Sequence, residues 1–300
     1  MSDDTRVKSI AILGAGYIGG ELARLAIARG WRVAALTRNS GKASALRGLG
    51  CERVAEDDLA SDAWHAALRG PFDHVVNCTS PGGGGIEGYR RSCIDGMQSV
   101  GRWLATMRPA TVVYTSSTGV YPQGGGARVD ESAPPETGDG RGGLLLAGET
   151  ILESAASGGG WRSFVLRLAG IYGPGRHHLL DQVRAGSPLA GDPGTHLNLI
   201  HRDDVCSAIL TCLEAGANVG SSTFNLADGA PGTRREVATW LAEKLQMPPP
   251  VFAGAGAPNP FGRRKTPDRI IDVGAIREAL GWVPRHADFR SGFAAILRHA

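Results

Sequence analysis

The apolar run Ser9–Leu13 passes without a break into Gly14-Ala15-Gly16-Tyr17-Ile18-Gly19, and a helical pattern follows at once. That junction constrains the chain more than any other feature. A short apolar run without alternation suits a strand covered on both faces. A Gly-x-Gly-x-x-Gly at its end has a definite physical job. One glycine permits the tight turn, the next lets the backbone approach a pyrophosphate, and the third lets helix and strand pack closely. The phosphates would lie on the helix N-terminus, where N–H groups and the helix dipole favour anions. Gly14, Gly16, Tyr17, Ile18 and Gly19 are therefore candidate dinucleotide-binding residues. The bland reading, a glycine-rich turn without a ligand, is disfavoured by the position at the chain start inside a strand–helix–strand unit.

The pattern then repeats. Strand candidates are Ser9–Leu13, Arg32–Thr37, Arg53–Ala55, His74–Asn77, Thr111–Thr115 and Ser163–Leu168. Helical stretches lie between them at Gly19–Ala28, Gly41–Leu49, Asp62–Leu68, Glu87–Thr106 and Leu144–Ala156. Strands separated by helices predict a parallel, doubly wound α/β sheet, because parallel neighbours need crossover connections. After about residue 170 the rhythm changes to Gly/Pro-rich loops between helices near 203–214, 233–245 and 273–280. The expected organisation is a dinucleotide-binding domain over 1–170. Residues 171–300 read as a smaller substrate-binding lobe, partly interleaved with the sheet.

Composition sharpens this. Glycine numbers 44, about twice its usual share of roughly 7%, without a collagen period. It gathers in bursts at 82–85, 124–126, 138–143 and 158–160, which predict loops, with a freer backbone around 138–143. A net charge of +3 is far from the concentrated basic field that nucleic acid requires, so no nucleic-acid partner is expected. Five cysteines with no CxxC pair argue against zinc or a disulfide framework. The acidic N-terminus and the lack of a long apolar run predict a cytoplasmic protein with no membrane association.

The end of the second strand bears on the cofactor. An NAD site wants a carboxylate there for the ribose 2′-hydroxyl. This chain has Leu36-Thr37-Arg38-Asn39. Arg38 can pair with a 2′-phosphate and Thr37 can donate a hydrogen bond to it, so NADP(H) is expected over NAD. The alternative is that Arg38 is a solvated residue at a strand end.

Taken together, these segments resemble the extended short-chain dehydrogenase/reductases of the nucleotide-sugar epimerase/dehydratase type, along almost the whole chain. The resemblance implies a Rossmann-type domain and places Asp58 and Leu59, in Glu56-Asp57-Asp58-Leu59, at the adenine. Asn77-Cys78-Thr79-Ser80 is similar to the strand end that lines the cofactor, which implies that role for Cys78, Thr79 and Ser80. Thr115-Ser116-Ser117-Thr118-Gly119-Val120-Tyr121 resembles the segment whose last serine, here Ser117, hydrogen-bonds the substrate. Arg167 to Gly175, Leu199 to Val205 and Leu280-Gly281-Trp282 resemble three further family segments. The family also implies a small-molecule substrate and a homodimer in which the helix at Glu87–Thr106 packs on its partner.

The departure is at the catalytic pair. The family carries Tyr-x-x-x-Lys four residues before a Glu. Counting back from Glu149 gives Arg141 at the Tyr position and Leu145 at the Lys position. The four lysines, Lys8, Lys42, Lys244 and Lys265, offer no substitute. A guanidinium holds its protons too tightly for general-acid work, but Arg141 could clamp an anionic group. Tyr121 is a candidate substitute acid, against a structural role. Tyr172, with Arg176 four residues on, lies in a Gly-Pro-Gly turn expected beside the substrate. His177, His178 and His201 are weaker acid/base candidates. Arg263-Arg264-Lys265 and Arg269 could hold a substrate phosphate, against a solvated basic loop. Two functions remain open: an NADP(H)-dependent oxidoreductase or epimerase-type enzyme with a non-standard proton donor, and a non-catalytic NADP(H)-binding scaffold or redox sensor. A non-redox lyase or isomerase is a weaker third.

Overall fold

The computed structural model describes residues 6–253 and 267–298, so the basic run Arg263-Arg264-Lys265 lies outside the described residues. A seven-stranded sheet forms from β1 (Ser9–Leu13), β2 (Arg32–Thr37), β3 (Arg53–Glu56), β4 (His74–Asn77), β5 (Thr111–Ser117), β6 (Arg162–Leu168) and β7 (Ser222–Leu226). Their order is β7-β6-β5-β4-β1-β2-β3. The pairs β1–β2, β1–β4, β2–β3 and β4–β5 are parallel, with Leu13 opposite both Leu36 and Asn77. This is the Rossmann-type doubly wound arrangement expected. The six expected strands form within a residue or two of their bounds. The seventh, Ser-Thr-Phe-Asn-Leu at the sheet edge, is too short and polar for the sequence pattern to mark.

The chain divides into two compact units. The first is the described part of Met1–Val120 with Pro135–Arg167 and Ala208–Phe224; the second is Tyr121–Pro134, Leu168–Ser207 and the described part of Asn225–Ala300. In the first, α1 (Tyr17–Ala28) buries Ile18, Leu22, Ala23 and Ala26, while α2 (Ser40–Leu49) starts on Asn39, whose side chain accepts from the Lys42 amide, and ends on Gly50 at φ 106°. That cap and the left-handed stop are the usual helix punctuation. The core here joins Leu13, Leu36 and Val75 of the strands to Trp64, Met97 and Trp103. In the second unit, helices Arg234–Lys244 and Phe289–Leu297 each open with a reciprocal capping box, Thr233/Glu236 and Asp288/Ser291. Their Val237, Leu241, Phe289 and Phe293 pack with Tyr172, Leu180 and Leu189.

One expected helix is interrupted. Glu87–Thr106 reads as continuous in sequence, but Gly85–Arg90 and Gly96–Leu104 are joined by a π-turn at Arg91–Asp95. Just beyond the turn the chain lies tightly on the β3 loop: a Cβ on Gly96 would be 2.8 Å from Leu59 Cδ2.

The sheet also holds a buried histidine. His74 stacks on Trp31 at 5.2 Å, and neither ring nitrogen has a hydrogen-bond partner among the described residues. Burial, with smaller contributions from Lys8 and Arg162, pushes its imidazole down to about 4 from 6.5. Between those values the unfolded chain takes up a proton that the folded one refuses, so stability is full above pH 6.5 and falls as pH drops toward 4. Urea unfolding from pH 7 to 4.5 should show a loss of about 2.4 kcal/mol attributable to this group. His74→Phe should flatten the slope by that amount; an unchanged slope would remove His74 as the cause.

Candidate active site

The C-terminal ends of β1 and β4 are neighbours, and the chain leaves them toward opposite sides of the sheet. Such a switch point opens a crevice at the carboxyl ends of the strands. The two turns touch there. Gly14 adopts φ +81°, and a Cβ on it would lie 2.7 Å from the Thr79 backbone and from Thr79 Oγ1. On Gly19 a Cβ would lie 2.6 Å from the Gly14 carbonyl oxygen and 3.0 Å from Ile12 Cγ2, so helix and strand meet without room for a side chain. Gly16 differs: its nearest neighbour would be 3.9 Å away, leaving its backbone face open. Gly14 and Ala15 amides both donate to Leu36 O, and Gly20 N is bonded to Gly16 O, so Tyr17, Ile18 and Gly19 form the first helical turn. Thr79 Oγ1 is buried with no hydrogen-bond partner among the described residues. An orphaned hydroxyl against a glycine turn, beneath an open backbone face, fits a dinucleotide phosphate or ribose oxygen.

The remaining cofactor candidates surround this junction. Cys78 N donates to Leu13 O, and burial pushes its thiol up to about 12, so it is a lining group and no nucleophile. Ser80 is exposed just beyond. At the end of β2 the buried Thr37 offers Oγ1 to the Asn39 amide at 3.3 Å. Arg38 Nη1 donates to Asp58 Oδ2 at 3.2 Å, and Leu59 is buried next to it. Burial raises the Asp58 carboxyl, but the Ala60 amide and the guanidinium groups of Arg91 and Arg38 outweigh that and hold it below the usual carboxylate range.

The end of β5 carries an interior ionic group that sequence reading missed. Arg167 of β6 meets Glu149 of the helix Arg141–Gly159 at 2.7 Å, and Ser116 Oγ donates to the other carboxylate oxygen at 2.5 Å. All three are buried. The signal was present as a lone Glu and a lone Arg inside apolar runs. This group fixes the helix against β5. One turn earlier on that helix, Leu145 Cδ1 and Ser117 Oγ would lie 3.5 and 3.2 Å from a Cβ on Gly119, so Leu145 and Ser117 are neighbours. Ser117 Oγ accepts from the Gly119 amide at 3.0 Å. A further turn back, Arg141 is exposed and lays its guanidinium over the Tyr89 ring at 5.3 Å. Among the described residues it makes no ion pair.

Several expectations are corrected. Within 138–143, Gly140, Gly142 and Gly143 are crowded and not a freer backbone, and only Gly138, at φ +89°, has open space around it. The Glu136 carboxylate lies where Cβ atoms on Gly140 and Gly142 would go, and the Gly138 carbonyl blocks one on Gly143. Tyr121, proposed as a substitute acid, is buried with its hydroxyl donated to Asn225 Oδ1 at 2.9 Å. Arg269, expected at a substrate phosphate, is buried and donates to the carbonyls of Tyr121 and Gln123, and burial pushes its guanidinium pKa down. Tyr172 packs in the second unit's core against Phe293 at 4.7 Å. Burial, then Asp228, Asp204 and Asp288, drive its phenol far above the ordinary range. These three side chains are interior supports and do not present a proton or a charge to a ligand. His201 is likewise buried, 4.2 Å from the His286 ring, and is pushed down to about 4 by burial first and by His286 second.

The model of the NAD dependent epimerase/dehydratase family matches residues 10–227. The chain belongs to that family. It is 31% identical over 290 residues to protein YeeZ of Escherichia coli strain K12, covering 94% of this chain and 97% of that one. It is 28% identical over 250 residues to a 4-hydroxy-2-methyl-3-oxo-4-farnesyl-3,4-dihydroquinoline-1-oxide ketoreductase of Stigmatella aurantiaca, covering 77% and 71%. Among solved structures, MoeE5 in complex with UDP-glucuronic acid and NAD superposes with a TM-score of 0.81 at 23% identity, over 97% of this chain and 99% of that one, which shows the shared fold. The chain is thus an NAD(P)-dependent oxidoreductase or epimerase by family. No helix among the described residues is long and apolar enough to cross a membrane.

Removing one partner of a buried ion pair leaves the other charge unpaired, which costs about 3–5 kcal/mol. Glu149→Ala should therefore destabilise the protein by about that amount in urea unfolding. A loss under about 1 kcal/mol would show that Arg167 finds water or another acceptor.

Proposed function

We propose that the protein is an NADP(H)-dependent oxidoreductase or epimerase-type enzyme acting on a small anionic substrate of the nucleotide-linked class. The observation that carries the cofactor choice is Arg38 at the end of β2, where an NAD site would hold a carboxylate. Its guanidinium is about half exposed, at 49%, and can present a fork to a phosphate. The nucleotide-linked class is supported by MoeE5, a structural neighbour solved with UDP-glucuronic acid.

A bound nicotinamide supplies hydride transfer, and the protein's own residues do the rest. Gly14, Gly16 and Gly19 with Thr79 hold the phosphates. Asp58 and Leu59 receive the adenine, and Cys78 and Ser80 line the strand end. Ser117, held by the Gly119 amide, orients the substrate oxygen. Arg141 grips an anionic group of the substrate where the family's tyrosine would stand, and cannot supply a proton. Leu145 packs beside Ser117. The proton then comes from water or from the substrate itself. A second reading is favoured by the same two residues: with Arg141 and Leu145 at the positions of the acid/base pair, the protein binds NADP(H) as a scaffold or redox sensor.

Titration of the pure protein with NADPH and NADH, followed by nicotinamide fluorescence, tests the cofactor. Arg38→Ala should weaken NADPH at least about tenfold, the low end for a charge-assisted hydrogen bond, and NADH less than about twofold. An equal loss for both refutes the choice of NADP(H). For the two readings, turnover on a carbonyl and nucleotide-sugar panel that falls in Ser117→Ala supports the enzyme. Tight NADPH binding with no turnover on any member supports the sensor.

A further inference from the structure

The adenosine end of the cradle contains a residue that the family resemblance does not assign. Asp58 is gripped from two sides. Arg38 Nη1, from the end of β2, donates to one carboxylate oxygen at 3.2 Å. Arg91 Nε pairs with the other oxygen at 3.2 Å. The Ala60 amide donates to that second oxygen at 2.9 Å. Two guanidinium groups thus flank one carboxylate, which leaves a net positive charge on a cluster whose arginines are 49% and 57% exposed. An ordinary surface ion pair contributes little and calls for no scaffold. This cluster has one. Arg91 opens the π-turn Arg91–Asp95, and such turns inside helices are rare and concentrate at functional sites. Directly after it, Gly96 brings the helix onto Leu59, the residue beside Asp58. On the other side, the backbone of Gly82 lies against Arg38 Nη2, where a Cβ would collide. The segment following β4 therefore both walls in Arg38 and supplies the second arginine.

We infer that Arg91 is a second determinant of cofactor choice, closing with Arg38 on a phosphate carried by the adenosine ribose, with Asp58 as their shared anchor. The inference rests on the NADP(H) reading above and deepens it. A phosphate monoester carries about −1.5 to −2 charge at neutral pH, which the spare positive charge of the cluster complements. An unphosphorylated ribose hydroxyl has no use for a second cation.

The full-length protein and its Arg91→Ala, Arg91→Lys and Arg38→Ala variants can be titrated with NADPH and NADH, and with 2′,5′-ADP and 5′-AMP as competitors of NADPH. Arg91→Ala should weaken NADPH and 2′,5′-ADP about tenfold and NADH and 5′-AMP less than about twofold, with ligand-free thermal unfolding unchanged. Arg91→Lys should recover part of the loss, since it keeps the charge without the planar fork. Equal loss of NADPH and NADH in Arg91→Ala would assign the residue to packing, and no loss of either would leave it a solvated ion pair; each overturns the inference. If Arg38→Ala is selective for NADPH and Arg91→Ala is not, the clamp falls and the cofactor reading survives. If the unaltered protein binds NADH as tightly as NADPH, both fall together.

Discussion

The contact between the turn after β1 and the turn after β4 is the constraint on which the rest depends. Gly14 and Thr79 approach so closely that no side chain fits on the glycine. That contact fixes the carboxyl edges of two adjacent parallel strands, and with them the mouth of the crevice. From there the chain runs one way into α1 and the other way into the segment 80–91. Any ligand held at the open face of Gly16 is therefore flanked by both, and the dinucleotide cradle follows from how two strands of a doubly wound sheet end side by side.

A second, deeper constraint holds the reactive side of the first unit. Glu149, Arg167 and Ser116 bond one another directly in the interior, and a half-satisfied version would be worse than an apolar core. Because Glu149 is fixed, the residues four and eight before it have fixed places too: Leu145 beside Ser117, and Arg141 at the helix start over Tyr89. The side chains at those places can change while the helix stays, because the buried ionic group anchors it.

The fold was largely legible because the relevant signals are local. The run Ser9–Leu13 followed by glycines at 14, 16 and 19, and the apolar stretches of β2, β4, β5 and β6, need no tertiary information. β7 was not legible because a polar five-residue edge strand has no pattern of its own. The π-turn at Arg91 was invisible for a different reason: it sits beside the close approach of Gly96 to Leu59, a contact 37 residues apart in sequence that no local pattern announces. The site was half legible. Motif spacing pointed to Gly14, Gly16 and Gly19, position at a strand end pointed to Arg38, and the family resemblance pointed to Asp58 and Ser117, whereas Tyr121, Tyr172 and Arg269 are polar residues whose burial only packing decides. An arginine in a basic stretch looks the same in sequence whether it faces solvent or, as Arg269 does, two backbone carbonyls.

The glycines between 138 and 143 bear on how the entrance to the helix Arg141–Gly159 behaves. In composition they read as slack. In place, Gly140, Gly142 and Gly143 are the surfaces on which the Glu136 side chain and the Gly138 carbonyl rest, and a side chain on any of the three would collide with what already lies there. A loop built this way works less like a hinge than like a dry-stone course, where the missing side chains are the seats of neighbouring blocks. Movement there would have to unseat several contacts at once. Arg141, the first residue of that helix, thus stands on a closely packed rim and not at the end of a slack loop.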